Sequence, residues 1–257
     1  MENGYKVAVV TGASVGIGEA TAEQFAKNNM KLVLVARRRE KLEAVSKRLS
    51  KFTNCHILAL DVTDKAAVTM GVRNLPTDFK DVDVLVNNAG LALGLEPAQR
   101  TSWQDWQRMI DTNITALAFM THLLLPGMVE RNRGHIVNIG SVAGTYAYAG
   151  GNIYSASKAF VEHFSRNLKA DLLGTAVRVT NIEPGMVAGS EFSLVRFAGD
   201  KERSEQVYEG VSAMKPDDIA EAIFFAVSRP SNVSVTRIEV MASCQAPSRL
   251  AIHRKGR

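Results

Sequence analysis

Short runs of apolar, mostly β-branched residues alternate with longer amphipathic segments along this chain. Runs such as LVLVA and VLVN are hydrophobic at nearly every position, which is typical of strands that are buried on both faces. A parallel sheet with helices on both sides meets that requirement. The predicted strands are Tyr5–Thr11, Lys31–Ala36, Cys55–Leu60, Val82–Val86, Gly134–Gly140, Ala176–Glu183 and Thr236–Val240.

The amphipathic segments predict helices between these strands. Glycine often follows the last turn of a helix, so Gly134 and Gly174 are predicted to stop two of them. Residues 186–215 show weak periodicity, and we expect a substrate lid with short helices there. The chain is predicted to be one doubly wound α/β domain over residues 1–241, followed by a tail over 242–257. The predicted helices are Ile17–Asn28, Arg39–Leu49, Lys65–Arg73, Ser102–Ile110, Thr112–Glu130, Ile153–Leu173 and Pro216–Ala226.

The chain of 257 residues has a net charge of +5, which at first suggests a nucleic-acid-binding protein. Four of its basic residues lie in the tail without any acidic residue, so the rest of the chain is almost neutral and we expect no nucleic-acid partner. No signal peptide and no apolar run of about 18 residues are evident, and only two cysteines occur. We therefore expect a cytoplasmic protein without a membrane partner. The basic tail residues are Arg249, Arg254, Lys255 and Arg257.

A glycine-rich turn follows the first strand and leads into a helix. Glycine lets the backbone turn tightly and approach a pyrophosphate at the helix N-terminus. The pattern predicts a dinucleotide site, although its spacing is G-x3-G-x-G rather than G-x-G-x-x-G and a purely structural turn is an alternative. The predicted cofactor-binding residues of the turn are Gly12, Ser14, Gly16, Ile17 and Gly18.

A cluster of arginines, Arg37, Arg38 and Arg39, ends the second strand, where an NAD site would carry an acidic residue. Basic side chains at a helix N-terminus oppose the helix dipole, so the cluster is better explained by a bound anion. We predict that Arg37, and next to it Arg38, binds the 2′-phosphate of NADP, with Ser14 as a further donor. The alternative is a solvated run of charge.

The third and fourth strands also end in candidate site residues. Asp61 and Val62 are predicted to lie along the adenine, while a helix-capping role is the alternative for Asp61. Asn88, Ala89 and Gly90 form a tight turn at the carboxyl edge of the sheet, where they could approach the cofactor. A structural turn is the alternative there.

Three further residues form a candidate catalytic group. Tyr154 and Lys158 are separated by four positions on one predicted helix and therefore share a face. A neighbouring ammonium favours the phenolate, which would bring the pKa of Tyr154 closer to the working pH of an acid/base. Ser141, after the fifth strand, would donate a hydrogen bond to the oxygen of the reacting carbonyl or alcohol.

Together these motifs resemble the short-chain dehydrogenase/reductase family over essentially the whole chain. The resemblance implies a single-domain Rossmann-like fold, with about seven parallel strands and helices on both faces. It implies that Tyr154 is the acid/base, that Lys158 tunes it and holds the nicotinamide ribose, and that Asn113 supports a water relay. The matching motifs are T-G-x3-G-x-G, N-N-A-G, Asn113, Ser141, Tyr154-x3-Lys158 and Pro184-Gly185.

The resemblance also assigns residues after the sixth strand. It places Pro184, Gly185 and Val187 beside the nicotinamide carboxamide, and it places Ser190 near the pyrophosphate, where many members carry threonine. Members of the family commonly form tetramers through the helices that contain the equivalents of Asn113 and Tyr154. A homotetramer is therefore expected.

Two longer stretches, NNAGLALGLEPA and GTAVRVTNIEPGMVAGSEFSLVRFAGD, are similar to the branch of the family that oxidises small 3-hydroxy acids with NADP. A hydroxy acid needs a cation for its carboxylate, and Arg196 is the candidate, with a solvent-facing lid arginine as the alternative. Other functions left open are an NADPH-dependent carbonyl or 3-oxoacyl reductase and a noncatalytic cofactor-sensing or nucleic-acid-binding protein. The histidines have no metal-ligand spacing, so no metal is expected.

Overall fold

The computed structural model describes residues 4–246 and contains one sheet of seven strands. The strands are β1 (Val7–Thr11), β2 (Lys31–Ala36), β3 (Cys55–Ala59), β4 (Val84–Asn87), β5 (Gly134–Ile139), β6 (Val177–Pro184) and β7 (Arg237–Val240). They lie in the order β3-β2-β1-β4-β5-β6-β7, and every neighbouring pair is parallel. The predicted doubly wound fold is confirmed.

Helices cover both faces of this sheet. They are α1 (Gly16–Lys27), α2 (Arg39–Leu49), α3 (Lys65–Arg73), α4 (Trp103–Ile110), α5 (Leu117–Glu130), α6 (Asn152–Asp171), α7 (Phe192–Arg196), α8 (Lys201–Gln206) and α9 (Pro216–Ser228). Helices α1, α2 and α9 pack on one face through residues such as Phe25, Leu42 and Ile219. Helices α3, α5 and α6 pack on the other, and the central strands are buried between the two layers as their continuous hydrophobicity predicts.

The end of α5 agrees with the prediction, but a residue other than Gly134 forms the left-handed turn that follows it. Helix α5 ends at Glu130, and Asn132 has a φ of 47°, so the left-handed turn precedes Gly134. Gly134 instead begins β5, where an added Cβ would lie 2.7 Å from the side chain of Met128. The prediction that Gly134 stops the helix is therefore wrong, because this glycine provides space for packing. Gly174, with a φ of 88°, follows α6 as predicted.

Helices α4 and α5 are joined without a break by a π-helical turn over Asp111–Ala116. The continuous helix Trp103–Glu130 contains an 18-residue stretch with a mean hydropathy of 1.3, long and apolar enough to cross a membrane, and no second such helix occurs within residues 4–246. The expectation that no segment would reach this level is wrong for this helix. Its residues Met120 and Met128 pack on the sheet, as in the core helix of a soluble protein.

The carboxyl ends of β1 and β4 lie side by side where the order of strands reverses. Ligands of doubly wound sheets bind at such a point. Helices α7 and α8 belong to the predicted lid segment 186–215. The first part of the predicted tail also packs on the domain, since Ala242 is buried and Gln245 Oε1 accepts a hydrogen bond from Met186 N. Residues assigned to the predicted tail thus contact the domain up to Gln245, and the four basic residues lie outside the described residues.

Candidate active site

A cavity of about 840 Å³ lies at the carboxyl edge of the sheet. It extends from the glycine-rich turn, past the ends of the central strands, to α7. The residues predicted to bind cofactor or substrate line this cavity, apart from Gly18 and Asn113, which lie behind its wall. The fold thus brings the separate sequence motifs together in one site.

The glycine-rich turn has the conformation that a close approach to the backbone requires. Gly12 and Gly16 have φ values of 67° and 60°, in the left-handed region that glycine adopts readily. At Gly18 an added Cβ would lie 2.3 Å from the carbonyl oxygen of Gly12, so a larger residue would displace the turn. Helix α1 begins at Gly16 and directs its N-terminal amides towards the cavity end of the turn, which suits a pyrophosphate.

Asn88 fixes this turn to the neighbouring strand. Its Nδ2 donates to the carbonyl oxygen of Thr11 at 2.8 Å, while the backbone amides of Asn88 and Ala89 donate to Thr11 Oγ1. The structural role that the sequence left open is therefore present at Asn88. Ala89 and Gly90 still face the cavity.

The arginine cluster divides into two environments. The side chain of Arg37 is 68% exposed and lies at the cavity, 3.9 Å from Asp61. Arg38 also lies there, but it donates from Nη1 and Nη2 to Glu191 at 3.1 and 2.6 Å. Arg37 is consequently the better placed of the two for a 2′-phosphate, and a phosphate contact from Arg38 stays a prediction.

Asp61 and Val62 reach the cavity from the end of β3. Asp61 Oδ1 accepts hydrogen bonds from the amide and hydroxyl of Thr63, which stabilises the turn after the strand. The cap of the following helix is Asp64, whose side chain accepts from Ala66 N and Ala67 N. The helix-capping alternative for Asp61 is therefore wrong.

Ser141 and Tyr154 meet at the opposite end of the cavity. Ser141 Oγ accepts from Ala143 N at 3.1 Å and donates to the carbonyl oxygen of Pro184 at 3.4 Å, which orients the hydroxyl. Burial raises the pKa of Tyr154 to about 12, while a hydrogen bond with Ser141 and the charge of Arg196 oppose that rise. The phenol is protonated at neutral pH in this state.

The ammonium of Lys158 lies near the ring of Tyr154 but makes its hydrogen bond elsewhere. The ammonium lies 5.9 Å from the centre of the Tyr154 ring and donates to the carbonyl oxygen of Ile139 at 2.7 Å. Burial lowers the pKa of Lys158 itself to about 8. The shared helix face is confirmed, but the ammonium is directed towards β5 rather than the phenol oxygen.

Asn113 occupies the π-helical turn behind Gly90. Its Oδ1 accepts from Leu91 N at 2.9 Å, and its Nδ2 donates to Leu91 O and Ser157 Oγ. A Cβ added to Gly90 would lie 3.3 Å from Asn113 Oδ1 and 3.5 Å from Lys158 Nζ. Asn113 is thus close to the lysine, as a relay through that region requires.

The segment that follows the core of β6 forms part of the cavity wall, together with Ser141 and Tyr154. Pro184, Gly185, Val187 and Ser190 all line the cavity. The carbonyl oxygen of Val187 accepts a hydrogen bond from the Tyr208 hydroxyl at 3.1 Å. A Cβ added to Gly16 would lie 2.8 Å from Ser190 Cβ, so this segment crosses directly over the glycine-rich turn.

Arg196 lines the end of the cavity that holds Tyr154. Its Nε donates to Gly94 O at 3.0 Å and its Nη2 to the Tyr148 hydroxyl at 2.7 Å. The guanidinium carbon lies 5.7 Å from the centre of the Tyr154 ring. A carboxylate could therefore bind Arg196 while its hydroxyl-bearing carbon stays beside Tyr154.

The sequence profile of the family described as short chain dehydrogenase matches residues 6–197. This match covers most of the chain and includes the glycine-rich turn, Ser141, Tyr154 and Lys158. The chain belongs to the short-chain dehydrogenase family.

Relatives within the short-chain dehydrogenases cover nearly the whole chain. The NADP-dependent 3-hydroxy acid dehydrogenase YdfG of Salmonella typhi is 51% identical over 248 residues, which are 96% of this chain and 99% of that protein. The serine 3-dehydrogenase of Rhizobium radiobacter is 44% identical over 247 residues, 96% of this chain and 98% of that protein.

A solved structure of a short-chain dehydrogenase has the same fold in detail. The closed form of serine dehydrogenase complexed with NADP+ superposes with a TM-score of 0.93 at 46% identity. The match covers 97% of this chain and all of that one. The geometry of the present site fits such a cofactor, because the glycines of the turn leave no room for a Cβ and the largely exposed Arg37 lines the cavity.

Some site residues of this short-chain dehydrogenase were not found from the sequence. Gln245 accepts from Met186 N and occupies the space beside Gly185, where an added Cβ would lie 2.2 Å from Gln245 Oε1. Its position after the carboxyl end of β7 was the available signal, since all such ends point to the cavity. Glu191 had no such signal, because its partner Arg38 is 153 residues distant.

Proposed function

We propose that this chain is an NADP-dependent oxidoreductase that oxidises the hydroxyl group of small 3-hydroxy acids or reduces the matching oxo acids. Serine, allo-threonine, 3-hydroxyisobutyrate and 3-hydroxypropionate are the proposed substrates. The observation that carries the substrate class is Arg196, a cation held by Gly94 and Tyr148 beside the Tyr154 ring. The relatives that act on serine and other 3-hydroxy acids support the same class.

NADP supplies a nicotinamide ring that accepts a hydride from the substrate carbon. The glycine-rich turn and the N-terminus of α1 hold the pyrophosphate, and Arg37 holds the 2′-phosphate. Lys158 binds the nicotinamide ribose, and the segment from Pro184 to Val187 borders the carboxamide.

The residues of the chain handle the proton and the charge. Ser141 donates a hydrogen bond to the substrate oxygen, and Arg196 binds the carboxylate. In the oxidation, Tyr154 accepts the hydroxyl proton; in the reduction, its phenol returns a proton to the same oxygen. The raised pKa of Tyr154 suits the reduction, while Ser141 and Arg196 favour the phenolate that the oxidation needs.

Absorbance of the reduced nicotinamide tests the proposal directly. The enzyme is offered NADP or NAD with each of the four hydroxy acids, and simple secondary alcohols serve as controls. We expect turnover of the acids with NADP. Turnover of the alcohols alone, with no activity on the hydroxy acids or on the matching oxo acids in the reverse assay, would retain the chemistry of Tyr154 but refute the hydroxy-acid substrate.

The variant Arg196→Ala tests the residue that carries the substrate class. Loss of a charge-assisted hydrogen bond to a carboxylate costs about 1.5–3 kcal/mol, so KM for the acids should rise roughly ten- to hundredfold. The variant Arg203→Ala, on α8 in the same segment, is the matched control and should retain the wild-type KM. An unchanged KM in Arg196→Ala would contradict the carboxylate site.

We also propose that the protein is a cytoplasmic homotetramer. Half-buried aromatic residues on α5 and α6 support the assembly, and Phe160 and Phe164 stack there with ring centres 5.5 Å apart. Light scattering after size-exclusion chromatography measures the mass. A monomeric mass would refute the tetramer.

A further inference from the structure

The lid segment is held to the opposite wall of the cavity by a cluster of charges. Glu191 accepts hydrogen bonds from Arg38 at 3.1 and 2.6 Å and from Lys41 Nζ at 2.7 Å. Arg38 and Lys41 lie at the start of α2, beside the predicted 2′-phosphate site. The cluster therefore connects the lid to the adenosine end of the cofactor cavity.

The other end of α7 is attached at the catalytic end of the cavity. Gly94 N donates to Arg196 O at 2.9 Å, and Arg196 Nε donates back to Gly94 O at 3.0 Å. Between the two attachments, the ring of Phe192 lies 5.8 Å from that of Tyr154. One short helix thus spans the cavity, with Glu191 immediately before it and Arg196 as its last residue.

This arrangement gives Glu191 an influence on residues that it does not touch. Helix α7 has only five residues, so a displacement of its start moves Phe192 and Arg196 as well. The carboxylate satisfies two cations at once, and burial of the pair is partial: the Glu191 side chain is 32% exposed. Its attraction should therefore be moderate and sensitive to salt.

We propose that Glu191 is a positioning residue: through Arg38 and Lys41 it holds α7 over the bound dinucleotide and thereby places Arg196 beside Tyr154. The proposal rests on the proposed function for the role of Arg196. The effect of Glu191 on cofactor retention is independent of the substrate. Any bound nicotinamide dinucleotide would be retained in this way, whether or not it carries a 2′-phosphate.

The variant Glu191→Gln tests the proposal, with dissociation of NADPH followed by stopped-flow fluorescence in the absence of substrate. We expect dissociation to be roughly three- to tenfold faster, because a partly exposed ion pair contributes modestly. KM for the hydroxy acid should rise several-fold while kcat does not fall, since Ser141, Tyr154 and Lys158 are unchanged. Glu43→Gln, an exposed carboxylate on α2 that accepts none of these hydrogen bonds, is the matched control for charge and should match the wild type.

A double-mutant cycle with Lys41→Met separates a direct contact from a general effect of charge. If Glu191 acts through the contact, its substitution should accelerate dissociation less when Lys41 is already absent. With NADH, which lacks the 2′-phosphate, dissociation from the wild type should respond more steeply to salt than dissociation from Glu191→Gln.

Several results would overturn the proposal. One is dissociation of NADPH and NADH from Glu191→Gln at the wild-type rate. A second is that the effects of Glu191→Gln and Lys41→Met on the dissociation rate are fully additive. A third is that kcat of Glu191→Gln falls together with its thermal stability. A protein that turns over no hydroxy acid but releases NADPH faster in Glu191→Gln would refute the proposed substrate and support the role of Glu191. The two proposals can therefore fail separately.

Discussion

Lys158 is expected to weaken the fold of the cofactor-free protein, although the chemistry needs it. Burial lowers the pKa of its ammonium from 10.5 to about 8. An unfolded chain binds that proton more tightly than the folded one, so the charged form costs stability below about pH 8. The cost diminishes as the pH rises from 8 towards 10.5, because the folded protein has by then released the proton and the unfolded chain has not.

The two pKa values set the size of this effect. A shift of one pKa unit corresponds to about 1.4 kcal/mol, so the cost is about 3 kcal/mol near pH 7. The same relation gives a cost of about 1.4 kcal/mol near pH 9.5. The contribution of Lys158 to the free energy of unfolding should therefore improve by about 2 kcal/mol between these two pH values.

Urea unfolding of the wild type and of Lys158→Met measures this contribution. Both proteins are studied without cofactor at about pH 7 and pH 9.5, and the difference between them at each pH removes titrations that they share. Met has no proton to lose, so the stability of the variant relative to the wild type should fall by about 2 kcal/mol as the pH rises. The variant lacks the hydrogen bond to Ile139 O at both pH values, so this loss cancels when the two stability differences are compared.

A difference that stays constant between the two pH values would refute the reasoning, since it would mean that the buried ammonium keeps an ordinary pKa. A difference that changes in the opposite direction would show that the folded protein favours the charged form. Turnover should be lost in Lys158→Met at either pH. Stability and activity would then respond in opposite directions to the same substitution.

Two further substitutions test the cofactor-binding end of the cavity. Arg37→Asp should reduce the preference for NADP over NAD by roughly tenfold or more, because a cation at the 2′-phosphate becomes an anion. The ratio of kcat/KM for the two cofactors measures this preference, and an unchanged ratio would contradict the assignment of Arg37. Gly18→Ala should weaken NADPH binding by roughly five- to 150-fold, since overpacking by a Cβ 2.3 Å from Gly12 O costs about 1–3 kcal/mol. Fluorescence titration with NADPH checks this, and wild-type affinity in a folded Gly18→Ala protein would show that the turn can move without loss.

The sequence predicted the strands well because their burial on both faces makes the hydrophobic runs continuous. Observed bounds such as Lys31–Ala36 agree with the prediction to the residue. Helix bounds such as Arg39–Leu49 and Lys65–Arg73 agree equally well, but the role of a glycine near a helix end was less predictable, since glycine serves a turn at Gly174 and packing at Gly134. Local sequence does not distinguish these two requirements.

The positions of the site residues could be predicted where a motif fixes them. The hydrogen-bond partners of their side chains could not. The spacing of Tyr154 and Lys158 placed both on one helix face, but it did not show that the ammonium would donate to Ile139 O. Likewise, Arg38 follows Arg37 in the sequence, yet its guanidinium pairs with Glu191 across the cavity. Such contacts depend on the packed fold.

The π-helical turn at Asp111–Ala116 acts as a one-residue insertion within a continuous helix. Each α-helical residue advances the chain by about 100°, so the extra residue rotates the face of everything that follows by about that angle. Met109 before the turn can thus pack beside Tyr154, while Met120 after it packs on the sheet. Deletion of a single residue from this turn would restore a regular helix and rotate one of these two surfaces away from its partner. The number of residues in the turn is therefore constrained as well as the identity of its side chains, of which Asn113 is one.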